Sequence, residues 1–520
     1  MQHPVPAATG SVGMVCSIDG RASVAGARML AGGGNAVDAA VATAAVLAVV
    51  APNTCGMGGD MFALVGTGNG PPLCLNASGR APSGASAERL RAEGHEAMPR
   101  LRHPAAVTVP GCVDGWLALH DRLGVMNLPE VLGAAHAYAA DGFAASAELA
   151  SAASDVAGSD GNTDIPGDLR AGEVVRRPGS ARALEAVATG GRDAFYGGEF
   201  GDGLLGLADG LFSPEDLATP QADWVEAATV EAWGHRLWTV PPNSQGYLIL
   251  AAAALAQGLD LPTDPSDPGW AHWLIEAARA VGSFRPGELS DAADVAELLD
   301  PARIDGLRRR VLAGDTPVTP PIGGGDTTYL CTADAQLTVS LIQSNAMGFG
   351  SLLVAGGTGI FLHNRGLGFS LDPAHPACYA PGRRPPHTLS PALVTTLAGH
   401  NRAVLGTMGG DAQPQVVLQM LARLLHCEQS PAEILGAGRW VLLGPDAFAT
   451  WTPGWLPPVA LEPNVPEAWA GGLAARGHAV GGLGENPKLS GHAHLIEVRT
   501  DGTLSGAAEP RTALAAVVGI

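Results

Sequence analysis

Hydrophobic positions along the chain fall into two regimes. Over 110–310 they recur mostly at helical spacing, as in "VDGWLALHDRLG" (113–124) and "HWLIEAARAVGSF" (272–284). Beyond residue 323 they alternate or run in short blocks. "TYLCTADAQLTVSLIQS" (328–344) predicts a β-hairpin turning near Asp334–Gln336. "GGTGIFLHN" (356–364), "HTLSPALVTTL" (387–397) and "RAVLGTMGG" (402–410) continue in strand–turn style. A helix over 413–428 and a strand near 493–498 follow. Near the start, 12–80 reads as strand, helix, glycine loop and strand, with Asn35 capping a helix that runs to about residue 50. Ser213 caps a second helix start, with Pro214 at its first position and acids in the first turn. The most apolar run, "AVDAAVATAAVLAVVAP" (36–52), contains Asp38 and ends at a proline. It is shorter than the roughly 20 apolar residues a membrane span needs, so it predicts a buried helix.

Composition narrows the class. A chain of 520 residues, 46% hydrophobic and 15% charged, is globular and too long for one ordinary core. A net charge of −20 with a single lysine, Lys488, excludes the clustered cations that nucleic-acid phosphates require. Seven scattered cysteines without CxxC spacing argue against a disulfide framework and a zinc site, and suit a reducing compartment. "MQHPVPAATG" has neither a basic nor an apolar region of a signal peptide, so a cytoplasmic location is expected. Cofactors and metals are not expected either. "GHAHL" (491–495), His363, His375 and His387 lack carboxylate partners at ligand spacing, and "GGGNAVDAA" (32–40) departs from a dinucleotide-binding loop. Cys331, in a predicted strand, reads as core packing.

The junction between the regimes, "GGGDTTYLCTAD" (323–334), carries the chemistry. A threonine hydroxyl is a weak nucleophile without a base beside it. If the chain cuts between Asp326 and Thr327, Thr327 acquires an α-amino group whose unperturbed pKa is about 7.7–8.0, and so carries its own base. Nucleophile and base then share one residue, which leaves little orientation entropy to lose. Glycines before Asp326 let the backbone bend for attack on the preceding carbonyl. A plain interdomain linker entering a strand is the structural alternative.

Ordered blocks turn that local reading into a family resemblance. "GNAVDAAVATAAVLAVVAPNTCGMGGDMFALV" (34–65), "DTTYLCTAD" (326–334), "SNAMGFGS" (344–351), "GTGIFLHN" (357–364) and "GTMGGDAQPQ" (406–415) resemble the γ-glutamyltransferase family of N-terminal-nucleophile hydrolases. The resemblance implies an α+β fold, the four-layer αββα sandwich, and self-cleavage into two subunits. The helix-rich large subunit would be 1–326, contributing strands to the shared sandwich, and the strand-rich small subunit 327–520. It implies Thr327 as nucleophile, Gly409 and Gly410 as the oxyanion hole, and Asn345 lining the substrate site. The heterodimer could associate further into a homo-oligomer.

Departures from the family pattern bear on substrate. The family arginine that holds an α-carboxylate corresponds to Ser78, with Arg80 two residues on and, on a strand, on the same face. The family aspartate that binds an α-amino group corresponds to Gly368, its serine pair to His387 and Thr388, and a neutral amide to Arg365. The lid segment, 371–385, is short. An open, basic pocket for a small anionic substrate is expected, with Arg80 and Arg365 as its cations. These departures resemble a divergent branch that includes amidohydrolases of small oxo-acid amides. The expected function is amide or related acyl cleavage through an acyl-enzyme on Thr327, resolved by water or an amine. C–C bond hydrolysis and true γ-glutamyl transfer are the alternatives on the same scaffold. An unprocessed small-molecule-binding relative is the alternative outside enzymes.

Overall fold

Two seven-stranded antiparallel sheets lie face to face at the centre of the molecule. The computed structural model describes residues 4–315, 327–442, 458–484 and 487–520. The first sheet runs Ala516–Gly519, Gly13–Ser17, Thr328–Asp334, Thr338–Ser344, Asp60–Gly66, Leu73–Ala77, Asp223–Val225. The second runs Ala7–Gly10, Leu504–Ala507, Ala493–Val498, Asn401–Thr407, Ala392–Thr396, His235–Thr239, Ala228–Ala232. Side chains alternate across a strand, so each sheet has two faces to bury. The inner faces meet in a core that includes Met14, Cys16, Phe62, Tyr329, Cys331, Val404 and Ile496. Helices cover both outer faces: Ala36–Val50 and its neighbours on the first sheet, Tyr247–Ala256, Pro268–Gly282 and Gln413–Leu425 on the second. That layering is the αββα sandwich.

The helix Ala36–Val50 is buried on every side, which explains its unbroken apolar sequence. Among the described residues no helix is long and apolar enough to cross a membrane. Asn35 and Asp38 form the capping box: the Asn35 side chain accepts from the Val37 and Asp38 N–H groups, and Asp38 accepts from Asn35 N–H. The hairpin turn docks here too. Asp334 accepts from Gln336 and Leu337 N–H within the turn and from Ala36 N–H at the helix start, where an anion is favoured. Ser213 and Pro214 open a helix as expected.

Three expectations are corrected. The segment 356–364 forms a 3-10 turn, Gly356–Thr358, and isolated bridges rather than strands. The helical stretch before 310 is interrupted by the strands at 223–239, whose "HRLWT" alternation was outweighed by flanking helical periodicity. The helix after the glycine pair ends at Leu425, three residues early.

Four buried charges fasten the C-terminal segments to the second sheet. Glu509 accepts from Arg439 at 3.0 Å, Arg511 at 2.8 Å and Ala493 N–H at 2.7 Å. Arg511 also pairs with Glu462, and Arg439 donates to the Ser490 and Gly491 carbonyls. Removing one member strands the others without water. Arg439→Met should therefore cost about 3–5 kcal/mol, read as a drop in the denaturation midpoint.

Candidate active site

Thr327 sits one residue before a strand that is third of seven in its sheet, and it is 1% exposed. The register pairs Thr328 with Gln343, and Ser344 with Asp60, so Thr327, Ser344 and Asp60 fall in one row across three strand ends. Thr327 Oγ1 and Ser344 Oγ are hydrogen-bonded at 3.0 Å, and Ser344 Oγ also accepts from Ala346 N–H. Thr328 Oγ1 is bonded to Thr54 Oγ1 at 2.8 Å. Asn345 donates through Nδ2 to the Pro52 carbonyl and through its backbone N–H to the Thr54 carbonyl. The glycine loop 53–59 is thereby sewn to the start of the strand Thr328–Asp334. Gly58 and Gly59 permit this: a Cβ on either would lie 2.3–2.4 Å from the Phe361 or Ser344 carbonyl oxygen.

Asp60, fully buried, gathers three of the side chains around it. Its Oδ2 accepts from Arg365 Nε at 3.0 Å and His387 Nε2 at 2.7 Å, and His363 Nδ1 stands 3.5 Å away. Arg365 Nη1 donates to Thr388 Oγ1 at 3.2 Å. His387 Nδ1 accepts from Leu389 N–H, so the ring proton lies on Nε2, facing the carboxylate. Burial alone would push the Asp60 carboxyl up. Arg365, His387 and His363 outweigh it and hold it well below the usual carboxylate range. Burial, then Arg365, pushes the His387 imidazole down to about 4.

Gly409 and Gly410 follow strand Asn401–Thr407 with φ of +128° and +57°, conformations that favour glycine. Among the described residues neither of their N–H groups donates a hydrogen bond. Gln245 Nε2 bonds the Gly410 carbonyl at 3.1 Å and the Thr388 carbonyl at 3.0 Å, tying the glycine turn to the Asp60 group. On the outer side Arg285 pairs with buried Asp411 at 3.1 Å. Thr54, whose hydroxyl meets Thr328, and Met408, which precedes Gly409, line one cavity of about 40 Å³.

Thr327, Asn345, Arg365, His387, Thr388, Gly409 and Gly410 are thus drawn into one connected region. Arg80 is not. Its strand ends at Ala77, so the expected shared face does not extend to it, and its guanidinium is held by Asp223 and the Pro220 carbonyl. Arg365 does not make the pocket basic, because its charge lies 1% exposed against Asp60. Asp326 lies outside the described residues. Sequence reasoning missed Asp60, Ser344, Arg285 and Asp411. The acid of "GGDMFALV", at the head of an apolar strand, was the available signal for the first.

Two His/Glu groups come within metal-ligating reach among the described residues. His478 Nδ1 accepts from Arg279 Nη1 at 2.9 Å, so His478 Nε2–H faces His272 beside a cation. In the other group His103 Nδ1 accepts from Ala105 N–H, which places its ring proton on Nε2. Neither arrangement leaves the lone pairs a metal needs.

Comparison with known proteins places this geometry. The family description Gamma-glutamyltranspeptidase matches residues 22–519. The glutathione hydrolase-like YwrD proenzyme of Bacillus subtilis is 32% identical over 98% of both chains. The oxamate amidohydrolase proenzyme of Klebsiella pneumoniae is 33% identical over 96% of this chain and 97% of its own. The crystal structure of cephalosporin acylase from Bacillus halodurans superposes with a TM-score of 0.89 at 32% identity, covering 99% of this chain and 97% of that one.

The depressed His387 has a pH consequence. Unfolded histidine titrates near 6.5, whereas folded His387 stays neutral to about 4. Below pH 6.5 the unfolded state binds a proton that the folded state refuses, so stability falls from pH 6.5 towards 4. The depressed Asp60 stabilises above its unfolded value and loses that only at still lower pH. His478 and His494, also depressed by burial, act in the same direction. Melting temperatures across this range should therefore fall less steeply in His387→Gln than in the parent.

Proposed function

The chain belongs to the γ-glutamyltransferase family, and on that premise we propose that it is a self-processing amide hydrolase whose nucleophile is Thr327. The observation that carries this reading is Thr327 at the head of a central strand, bonded to Ser344, with the Gly409 and Gly410 N–H groups uncommitted among the described residues. Preorganised donors of that kind stabilise the oxyanion as charge develops. Cleavage between Asp326 and Thr327 would give 1–326 and 327–520. Each sheet mixes strands from both pieces, four and three in the first and three and four in the second, so the subunits would remain one body. Two of the relatives are named proenzymes, which supports such processing.

In the reaction, the new α-amino group takes the Thr327 proton as Oγ1 attacks the substrate carbonyl. The oxyanion rests on the Gly409 and Gly410 N–H groups, and the leaving amine departs with a proton. Water, or an acceptor amine, then releases the acyl group from Thr327. Asp60 takes no part in proton transfer: it holds Arg365, His387 and, through Arg365, Thr388 around the site.

A small amide carrying a carboxylate is the substrate class this reading supports, in keeping with a relative named for oxamate. A γ-glutamyl donor fits less well. A Cβ at Gly368 would lie 2.5 Å from the Pro386 carbonyl oxygen, so the family's amine-binding aspartate has no room there. Gly368→Asp should lower the melting temperature and gain no turnover of γ-glutamyl-p-nitroanilide.

Intact-mass analysis tests the central claim. The purified protein should give two chains, the smaller beginning at Thr327, while Thr327→Ala stays whole and loses all amidase activity. A cleaved Thr327→Ala protein, or an active uncleaved parent, would remove Thr327 from the role.

A further inference from the structure

Arg365 is closed against Asp60, and Arg80 is held by Asp223, so neither expected cation lines a cavity at the site. Arg285 does. It borders a cavity of about 290 Å³ whose walls include Leu289, Phe369, Leu371 and Pro386 and whose rim carries Glu96 and Ala97. Gly368, the position where the amine-binding carboxylate is missing, lines the same cavity. Gly368 joins the cavity to the turn Arg365–Gly368, which is anchored on Asp60, and Arg285 joins it to the glycine turn through Asp411.

The electrostatics of Arg285 are unlike those of the other two arginines. Asp411, 0% exposed, holds one nitrogen at 3.1 Å and so aims the group, while the guanidinium side chain stays 13% exposed. The acid on its own turn, Glu288, is taken by Arg303 through two hydrogen bonds of 2.9 and 2.7 Å. Among the described residues the Arg285 guanidinium has no other hydrogen bond or ion pair. Arginine carries five N–H donors, so one carboxylate partner leaves donors for a second anion. Leu289, Phe369, Leu371 and Pro386 give the cavity apolar surface beside that contact. Glu96 stands exposed at the rim, where solvent screens its charge.

We propose that this cavity binds the acyl part of the substrate and that Arg285, aimed by Asp411, recognises an anionic group on it. Its place in the reaction rests on the amide-hydrolase reading; the binding itself does not. The same pair would couple occupancy to the glycine turn, since Asp411 directly follows Gly410.

Calorimetric titration with succinate and with its neutral diamide, succinamide, separates the outcomes. The parent protein should bind succinate, and Arg285→Gln should bind it at least about tenfold more weakly, a loss of 1.4 kcal/mol. Succinamide should bind the two proteins within about twofold of each other. Equal succinate binding by Arg285→Gln, or none by the parent, overturns the proposal. So does a variant that loses processing by intact mass yet binds succinate normally, because Arg285 would then only brace the turn. If Arg285→Gln does not fold, Ala97→Trp serves instead: it fills the rim from an exposed position and should block succinate binding, and unchanged binding overturns the proposal. A parent that binds succinate through Arg285 but remains one chain overturns the Thr327 reading and leaves the cavity assignment standing.

Discussion

A carboxylate shut away from water must be matched by cations and donors, and around Asp60 that requirement organises the site. Uncompensated, its charge would cost several kcal/mol or be lost to protonation. Arg365 and His387 satisfy it directly. Arg365 comes from a 3-10 turn and His387 from the loop before a strand of the second sheet, so one carboxylate joins elements from both halves of the sandwich. Asp60 is register partner to Ser344, and Ser344 is bonded to Thr327. Thr327 is thus linked through Ser344 to the row that Asp60 occupies two strands away.

Around that centre the structure separates rigidity from recognition. The seam between the sheets is apolar, and Cys16 and Cys331 face each other within it as core side chains whose thiols are inert. Burial pushes the Cys16 thiol well above its ordinary range. The glycine turn is braced by Gln245 on one side and by Asp411 with Arg285 on the other. The cavity beside Arg285 and Gly368 lies outside these braces. Chemistry needs donors that do not move, and substrate choice needs a surface that can differ between relatives without disturbing them.

Local sequence signals carried much of the architecture. The capping box at Asn35, the start at Ser213–Pro214 and the hairpin turning after Asp334 depend on interactions within a few residues, so periodicity and cap chemistry suffice to find them. The ordered glycine and threonine blocks likewise pointed to the family. Where neighbouring signals competed, as at 223–239, the longer helical pattern hid short strands whose pairing partners are distant in sequence.

What the chain determined by itself was the set of elements, the glycines with positive φ and the residue types able to do acyl chemistry, because each is a property of local backbone and side-chain geometry. Which cation meets which anion was decided only in three dimensions. Asp60 lies 305 residues from Arg365 and 327 from His387, and Arg285 and Asp411 come from opposite sides of the junction. No spacing rule links such positions, since a buried charge is satisfied by whichever partner the packing of the sheets delivers. Two arginines read from the sequence as substrate contacts proved to be paired with Asp60 and Asp223, while Arg285, which lines the cavity, carried no local sign of that placement.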